Sequence, residues 1–192
     1  KMIILKYRNA CSTNWQVYHS SLGATKYLQL NSTGAATTSN TRWNDAEPTN
    51  QVFTLGSSGD VKTNGGQYIA YCFAEKQGYS KFGSYTGNGS SSSPAFIYTG
   101  FKPKFVMVKN TSQGDGWFIH DDKRDGYNDD NEYLFANLTN AEGTNVNRLS
   151  MYSNGFNVPT TDKSYNVSGN SYIYMAFGQS LVGSNNVPCT AR

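Results

Sequence analysis

Short apolar runs alternate with polar turn clusters along most of the 192-residue chain. The runs are rich in β-branched and aromatic side chains, as is typical of strands. Clusters such as Ser57-Ser58-Gly59-Asp60 and Asn64-Gly65-Gly66 supply the turns between them. The pattern predicts strands over residues 2–6, 15–19, 27–30, 52–55, 67–74, 80–86, 95–99, 105–109, 117–120, 133–136 and 172–178. We find no long window with helical periodicity and caps.

Four sequence blocks recur in the same order and indicate an internal duplication. The matched pairs are residues 1–6 with 104–109, 14–19 with 116–121, 26–31 with 132–137, and 65–70 with 169–174. The repeat predicts a first β unit at residues 1–78, a second at 79–183, and a C-terminal tail at 184–192. Short strands with turn punctuation are typical of sandwiches and jelly rolls. We therefore expect an all-β fold of tandem β-sandwich or jelly-roll-like units.

The second unit begins with residues 79–103, which carry two predicted strands that the first unit lacks. Their equivalent would precede Lys1, so we expect either upstream residues or a neighbouring subunit to supply them, unless the edge lies at an interface. An unpaired sheet edge is an aggregation hazard, which is why a partner is expected.

Composition narrows the possible functions. Charged residues make up 15% of the chain, below the usual share of about 25%, so Ser, Thr, Asn and Gly must keep it soluble. The net charge is +3 without a long basic run, which argues against nucleic-acid binding. No apolar run approaches the roughly 20 residues of a membrane helix. Three cysteines without a CxxC pair or a histidine cluster favour neither a disulfide framework nor zinc, and we expect no cofactor.

Two groups of residues are candidates for ligand binding. Trp43, Asn44 and Asp45 could combine a ring that stacks on a sugar with groups that bind its hydroxyls, although a Trp that covers a sheet edge is the favoured interpretation. Asp121, Asp125 and Asp129 lie in an acidic stretch that could offer oxygens to calcium. That stretch lacks the order of a calcium loop, so we favour a solvated loop and expect no metal.

Nothing in the sequence favours catalysis. His19 aligns with Asp121 in the repeat, whereas His120 aligns with Tyr18, and a shift of one residue places strand side chains on opposite faces. The two histidines are therefore not one duplicated catalytic position. The chain lacks a Gly-x-Ser-x-Gly elbow, and no pair of carboxylates is marked for glycoside cleavage. We expect a protein that is not an enzyme.

Several segments of the chain resemble a β-rich domain family of bacteriophage virion proteins, among them tail-fibre and other tail proteins of marine phages. These are YTGNG at 85–89, YTGFKP at 98–103, FVMVKN at 105–110, LGATKYL at 22–28, SNGF at 153–156 and YIAYCFA at 68–74. The family is similar to concanavalin-like β-sandwiches, which include many sugar-binding modules. The resemblance brings no established catalytic residues.

The resemblance implies a bacteriophage virion structural protein, and we favour a tail-fibre or appendage module that attaches to host-surface glycans. A capsid decoration or other purely structural virion protein is one alternative, and a polysaccharide depolymerase is another. The expected partners are other virion proteins, host-surface glycan and further copies of the chain, with a trimer as the first expectation by analogy with phage fibres. The expected location is the virion.

Overall fold

The computed structural model describes residues 1–9, 12–124, 132–144 and 147–179. Within these ranges the chain is built mainly from strands, and the only helix is a single turn, α1 (Asn40–Trp43). The prediction of an all-β fold is confirmed. The described ranges contain no helix long and apolar enough to cross a membrane.

The first half of the chain forms a five-stranded antiparallel sheet. Its strands are β1 (Met2–Tyr7), β2 (Gln16–His19), β3 (Lys26–Gln29), β4 (Thr37–Thr38) and β5 (Tyr68–Phe73). Their spatial order is β4-β3-β2-β1-β5. Strand β1 is buried on both faces, because Met2 and Ile4 point to one core while Ile3 and Leu5 point to another. Burial on both faces explains why this run is continuously apolar.

The second half forms a similar sheet and a smaller one. The larger sheet contains β6 (Ser80–Thr86), β8 (Pro103–Asn110), β9 (Trp117–Asp121), β10 (Leu134–Phe135) and β13 (Ser171–Gly178). The smaller sheet contains β7 (Phe96–Tyr98), β11 (Ser150–Tyr152) and β12 (Gly155–Asn157). The spatial orders are β10-β9-β8-β13-β6 and β11-β12-β7.

Strand pairing in the two larger sheets follows the same register. Met2 pairs with Phe73 across β1 and β5, and its repeat counterpart Phe105 pairs with Phe177 across β8 and β13. The same correspondence holds for β1–β2 against β8–β9 and for β2–β3 against β9–β10. These registers support the predicted internal duplication, which remains a proposal. The predicted boundary at residues 78 and 79 lies in the turn between β5 and β6, where Gly78 has a φ of 75°.

Strand β13 runs across the first sheet. The ring of Phe177 packs on Phe73 of β5, with centroids 6.2 Å apart, and the carbonyl oxygen of Tyr174 lies 3.2 Å from Nε2 of His19 in β2. Tyr174 and Phe177 lie about 10 Å apart along β13. Over that distance they contact β2 and β5, which flank β1, so β13 crosses three strands of the first sheet. The two sheets therefore cross at a steep angle, as in orthogonal sandwiches.

The core between these sheets is shared by the two halves of the chain. The first sheet contributes Met2, Ile4, Val17 and Leu28, and the second contributes Phe82, Met107, Trp117, Ile173 and Met175. A hydrogen bond joins the same layers, because the indole Nε1 of Trp117 donates to the carbonyl oxygen of Gln29 over 3.0 Å. The sandwich is thus formed between the two halves, and neither sheet buries this face by itself.

An additional layer covers the outer face of each sheet. Over the first sheet, Trp43 and Val61 pack on Ile3, Leu5 and Tyr18. Over the second sheet, the smaller sheet buries Ile97, Met151 and Phe156 against the outward side chains of β8, β9 and β13. The second unit therefore places a third sheet where the first uses a helical turn and loops.

One predicted strand is absent, and three short strands are additional. Residues 52–55 are not a strand: Val52 accepts hydrogen bonds from Thr49 in a turn, and Phe53 and Leu55 pack on the outer core without pairing. Short strands β4, β11 and β12 were not predicted. Two or three residues are too few to show a period, so pairing with neighbours decides such strands.

The shared core predicts that the two halves unfold together. Truncation of a core side chain in either half should therefore lower the stability measured from one common unfolding transition. Leu28→Ala in β3 and Ile173→Ala in β13 should each lower the free energy of unfolding by about 2–5 kcal/mol, because both side chains are almost fully buried. Chemical denaturation followed by tryptophan fluorescence and circular dichroism would measure this. Two separate transitions, each shifted by only one of the substitutions, would contradict a common core.

Candidate functional site

The structure buries the aromatic ring that the sequence offered for ligand stacking. Trp43 is only 1% exposed and packs edge-on to Tyr18, with ring centroids 5.9 Å apart. A ring this buried cannot stack on a sugar, so that hypothesis is wrong. Trp43 covers the outer face of the sheet over Ile3 and Leu5, whereas the favoured interpretation placed it over a sheet edge. Asn44 and Asp45 are exposed, but they lie beside a buried ring rather than an open one.

Asn44 and Asp45 also have a local structural role at the end of α1. Asn44 adopts left-handed dihedrals and its backbone N–H donates to the carbonyl oxygen of Asn40, so it acts as the C-cap. Asp45 follows with a φ of 52°. The preference of Asn and Asp for this conformation accounts for their presence here without a ligand.

The acidic candidates are not brought together as an open carboxylate site. Asp121 ends β9, and its side chain accepts hydrogen bonds from the backbone N–H of Lys123 and from Nε of Arg124. Arg124 also pairs with Glu142. Asp125 and Asp129 lie outside the described residues. Within the part of the chain that the structure describes, no group of three or more His, Cys, Asp or Glu side chains could hold a metal ion.

The two histidines lie in separate cores on opposite sides of their sheets. His19 faces the shared core beside Met2 and Met175, whereas Nε2 of His120 lies 2.8 Å from the hydroxyl of Tyr165 in the outer core. This placement agrees with the predicted one-residue offset. Burial lowers the pKa of His19 to about 4 and that of His120 to about 3, so both are neutral near pH 7.

An open aromatic surface lies instead on the small sheet. Phe96 and Tyr98 of β7 and Tyr152 of β11 are 51%, 65% and 39% exposed. The rings of Phe96 and Tyr152 lie 6.0 Å apart at an interplanar angle of 56°. We call Phe96, Tyr98 and Tyr152 the aromatic platform.

Alternation along β7 produces this surface. Ile97 points inward and is buried, so Phe96 and Tyr98 on either side must point outward. Tyr98 pairs with Gly155, which in turn pairs with Tyr152. A Cβ at Gly155 would lie 2.2 Å from the carbonyl oxygen of Ile97 and 2.8 Å from the ring of Phe96. A glycine is therefore required between the rings.

Polar groups beside the rings are uncharged. The amide nitrogen of Asn157 donates to the hydroxyl of Tyr152 over 3.2 Å, which fixes that ring, while the amide oxygen of Asn157 is buried. Strands β7, β11 and β12 contain no charged residue. The surface is thus suited to a neutral ligand that combines an apolar face with hydroxyl groups.

A buried amide fixes the loops that lead into the platform. Asn166 is fully buried, and its Nδ2 lies within hydrogen-bonding distance of the carbonyl oxygens of Ser90, Val158 and Thr160 and of Oδ1 of Asn88. Its own Oδ1 accepts from the backbone N–H of Asn88. Because the loops before β7 and after β12 share this one anchor, the small sheet is held rigidly over its core.

The chain belongs to the family described as Domain of unknown function (DUF7483). The family model matches residues 1–180. No curated protein and no solved structure matches the chain. The family description states no activity, so the chemistry of this DUF7483 domain must be argued from its own surface.

The DUF7483 domain also has a polar depression, separate from the aromatic platform. It encloses about 200 Å³ between Ser21 and Leu22 of the β2–β3 turn and Thr86, Thr111 and Ser171 of the second sheet. Its lining offers hydroxyl groups but no carboxylate or imidazole. General acid–base catalysis needs a group that titrates near the working pH, and this lining does not supply one.

The platform could be only partly anticipated from the sequence. Residues 95–99 were predicted as a strand, but the prediction did not include the direction of its aromatic side chains. Tyr152 was missed because β11 and β12 are three residues each. The available signal was the turn sequence Ser153-Asn154-Gly155, which marks a hairpin but not the face that it exposes.

Acid should destabilise the fold through the two buried histidines. Their pKa in the unfolded chain is about 6.5, well above the values of about 4 and about 3 in the fold. The unfolded state therefore binds more protons, so this stabilisation is complete above pH 6.5 and is lost as pH falls from 6.5 towards 4 and below. For His19 the full effect is of the order of 3 kcal/mol.

We expect His19→Gln and His120→Gln each to flatten the dependence of the free energy of unfolding on pH between 6.5 and 4. Glutamine keeps a neutral hydrogen-bonding group but does not titrate. Urea denaturation at a series of pH values would measure the slope. A slope that stays unchanged in both variants would show that other groups control acid unfolding.

Proposed function

We propose that this DUF7483 domain is a glycan-binding module of a bacteriophage virion appendage, such as a tail fibre, that attaches the particle to its host surface. The observation that carries the proposal is the aromatic platform. The proposed activity is binding without chemical conversion of the glycan.

The geometry of the platform fits the two chemical characters of a sugar ring. One face of a pyranose presents C–H groups, which pack on an aromatic face as other apolar groups do. Its rim presents hydroxyls, which hydrogen-bond to phenols such as the exposed Tyr98. A surface without charge gives no preference for anionic ligands, so the proposed substrate class is a neutral oligosaccharide.

Two arguments from the sequence provide the biological setting. The order of the repeated motifs resembles phage tail proteins, and a surface dominated by uncharged polar residues suits an extracellular particle. Both arguments are independent of the aromatic platform. The setting and the binding activity can therefore be tested separately.

A purely structural role in the virion is the second candidate. The observation that favours it is the open edge of β5, which carries exposed apolar side chains suited to assembly. Assembly through β5 and binding through the platform use different surfaces, so the same molecule could do both.

Removal of one platform ring should weaken glycan binding without affecting the fold. Tyr98→Ala and Tyr152→Ala should each lower affinity about fivefold to tenfold, the scale of one aromatic contact. A glycan array of bacterial surface oligosaccharides would identify a ligand, and calorimetry would then measure the affinity of each variant.

Two variants serve as controls for this measurement. Tyr98→Phe keeps the ring and should retain most of the affinity. Val52→Ala removes an exposed apolar side chain, 64% accessible, that lies outside the small sheet and should have no effect. Equal binding by wild type, Tyr98→Ala and Tyr152→Ala would exclude the platform as the binding surface.

A further inference from the structure

Strand β5 is an unprotected edge of the first sheet. It consists of six uncharged residues, Tyr-Ile-Ala-Tyr-Cys-Phe. Ile69 is 38% exposed, Tyr71 is 45% exposed, and Cys72 is also exposed. Natural sheets usually protect such an edge with charge, proline, a bulge or a covering loop, and β5 contains neither charge nor proline.

The backbone of β5 has a set of polar groups that point away from β1. The carbonyl oxygens of Gln67 and Phe73 accept hydrogen bonds from the main-chain nitrogens of Arg8 and Lys1, so odd-numbered residues face β1. Backbone groups alternate in direction along an antiparallel strand. The N–H and C=O groups of Tyr68, Ala70 and Cys72 therefore point outward, and no strand in the described part of the chain pairs with them.

The second sheet shows what occupies the equivalent edge. The repeat counterparts of Tyr68, Ala70 and Cys72 are Tyr172, Tyr174 and Ala176 in β13. These pair with β6, which lies antiparallel along the outer side of β13. An antiparallel strand is thus the form of partner that this edge is built to accept.

The other outer strands are protected or short. On β6, the carboxylate of Glu75 accepts a hydrogen bond from the backbone N–H of Phe82 and pairs with Lys81. Strands β4 and β10 contain two residues each. Among the described edge strands of the two large sheets, β5 is the one that is longer than two residues and has no charged side chain over its outer edge.

We infer that β5 pairs antiparallel with β5 of a second copy of the chain across a twofold axis. A strand without charge meets no like-charge repulsion when it pairs with itself, and an isologous contact closes after two copies. The two five-stranded sheets then form one continuous sheet of about ten strands. This arrangement argues for a dimer in place of the trimer expected from phage fibres.

One register satisfies all of the outward backbone groups. With Ala70 opposite the same residue of the second copy, Tyr68 lies opposite Cys72 and the three outward residues form about six hydrogen bonds. In the same register Ile69 faces Tyr71 of the second copy, an aromatic and β-branched pair that is favourable between strands. A shift by two residues leaves outward groups unpaired.

Proline at position 70 tests the backbone pairing. Ala70→Pro removes an outward N–H but none of the bonds to β1, and proline is tolerated on edge strands in this orientation. We expect a dimer for wild type and for the control Ala70→Ser, and for Ala70→Pro a monomer that still unfolds in one cooperative transition. Light scattering after size exclusion would measure these masses. A monomeric wild type at tens of micromolar, or a dimeric Ala70→Pro, would overturn the inference.

A disulfide tests the register independently of proline tolerance. Ala70→Cys, in a chain whose native cysteines are changed to serine, should form a covalent dimer when an added oxidant such as diamide accepts the two electrons and two protons of the thiols, because facing Cα atoms lie about 5.5 Å apart. A chain retaining only Cys72 should not, because the two Cys72 residues would lie about 14 Å apart along the strands. Crosslinking of the Cys72 chain but not of the Ala70→Cys chain would refute this register.

A synthetic peptide with the sequence of residues 79–87 tests whether the edge of β5 binds a strand like β6 instead of a second copy of β5. In a twofold dimer the edge is filled, so the peptide should not bind wild type. Stoichiometric binding of this peptide to a monomeric wild type would overturn self-pairing and would assign the edge to an added strand of the β6 type. Neither result depends on glycan binding, so failure of one proposal is separable from failure of the other.

Discussion

The crossing of β13 over the ends of β5, β1 and β2 is the contact on which the rest of the structure depends. It brings the inward faces of two sheets, one from each half of the chain, into a single core. Without the other sheet, each would expose this apolar face to water, so each half stabilises the other. The two outer layers, and with them the aromatic platform, are built on the faces that this central core leaves available.

Two similar sheets receive different outer covers, and this difference separates the proposed functions. The small sheet over the second half presents Phe96, Tyr98 and Tyr152 to solvent on a rigid base anchored by Asn166. The loops over the first half bury Trp43, and no described strand pairs with the outer edge of β5. The surfaces proposed for binding and for assembly therefore lie in different halves of the chain. A dimer through β5 would present two platforms, which raises avidity for a repetitive glycan surface without any new contact.

Buried polar side chains act mainly as structural links. Lys109 is fully buried and donates a hydrogen bond to the carbonyl oxygen of Asn110 over 2.7 Å, and burial lowers its pKa to about 8. His19 and His120 are held neutral in the two cores. Such groups persist in an apolar core because each has a hydrogen-bond partner. None of these three lies on the aromatic platform, in agreement with a site that binds by contact area.

The sequence by itself determined most of the longer strands and the opposite facing of the two histidines. These follow from local alternation, since a period of two decides which side of a strand a residue occupies. It did not determine which faces of those strands would be covered. Trp43 stands between the polar residues Arg42 and Asn44 and yet is buried under the loops, whereas Tyr98 follows the apolar pair Phe96-Ile97 and yet lies open. Tertiary packing decided this, because burial of a side chain depends on the layer that meets it, and that layer comes from residues distant in the chain.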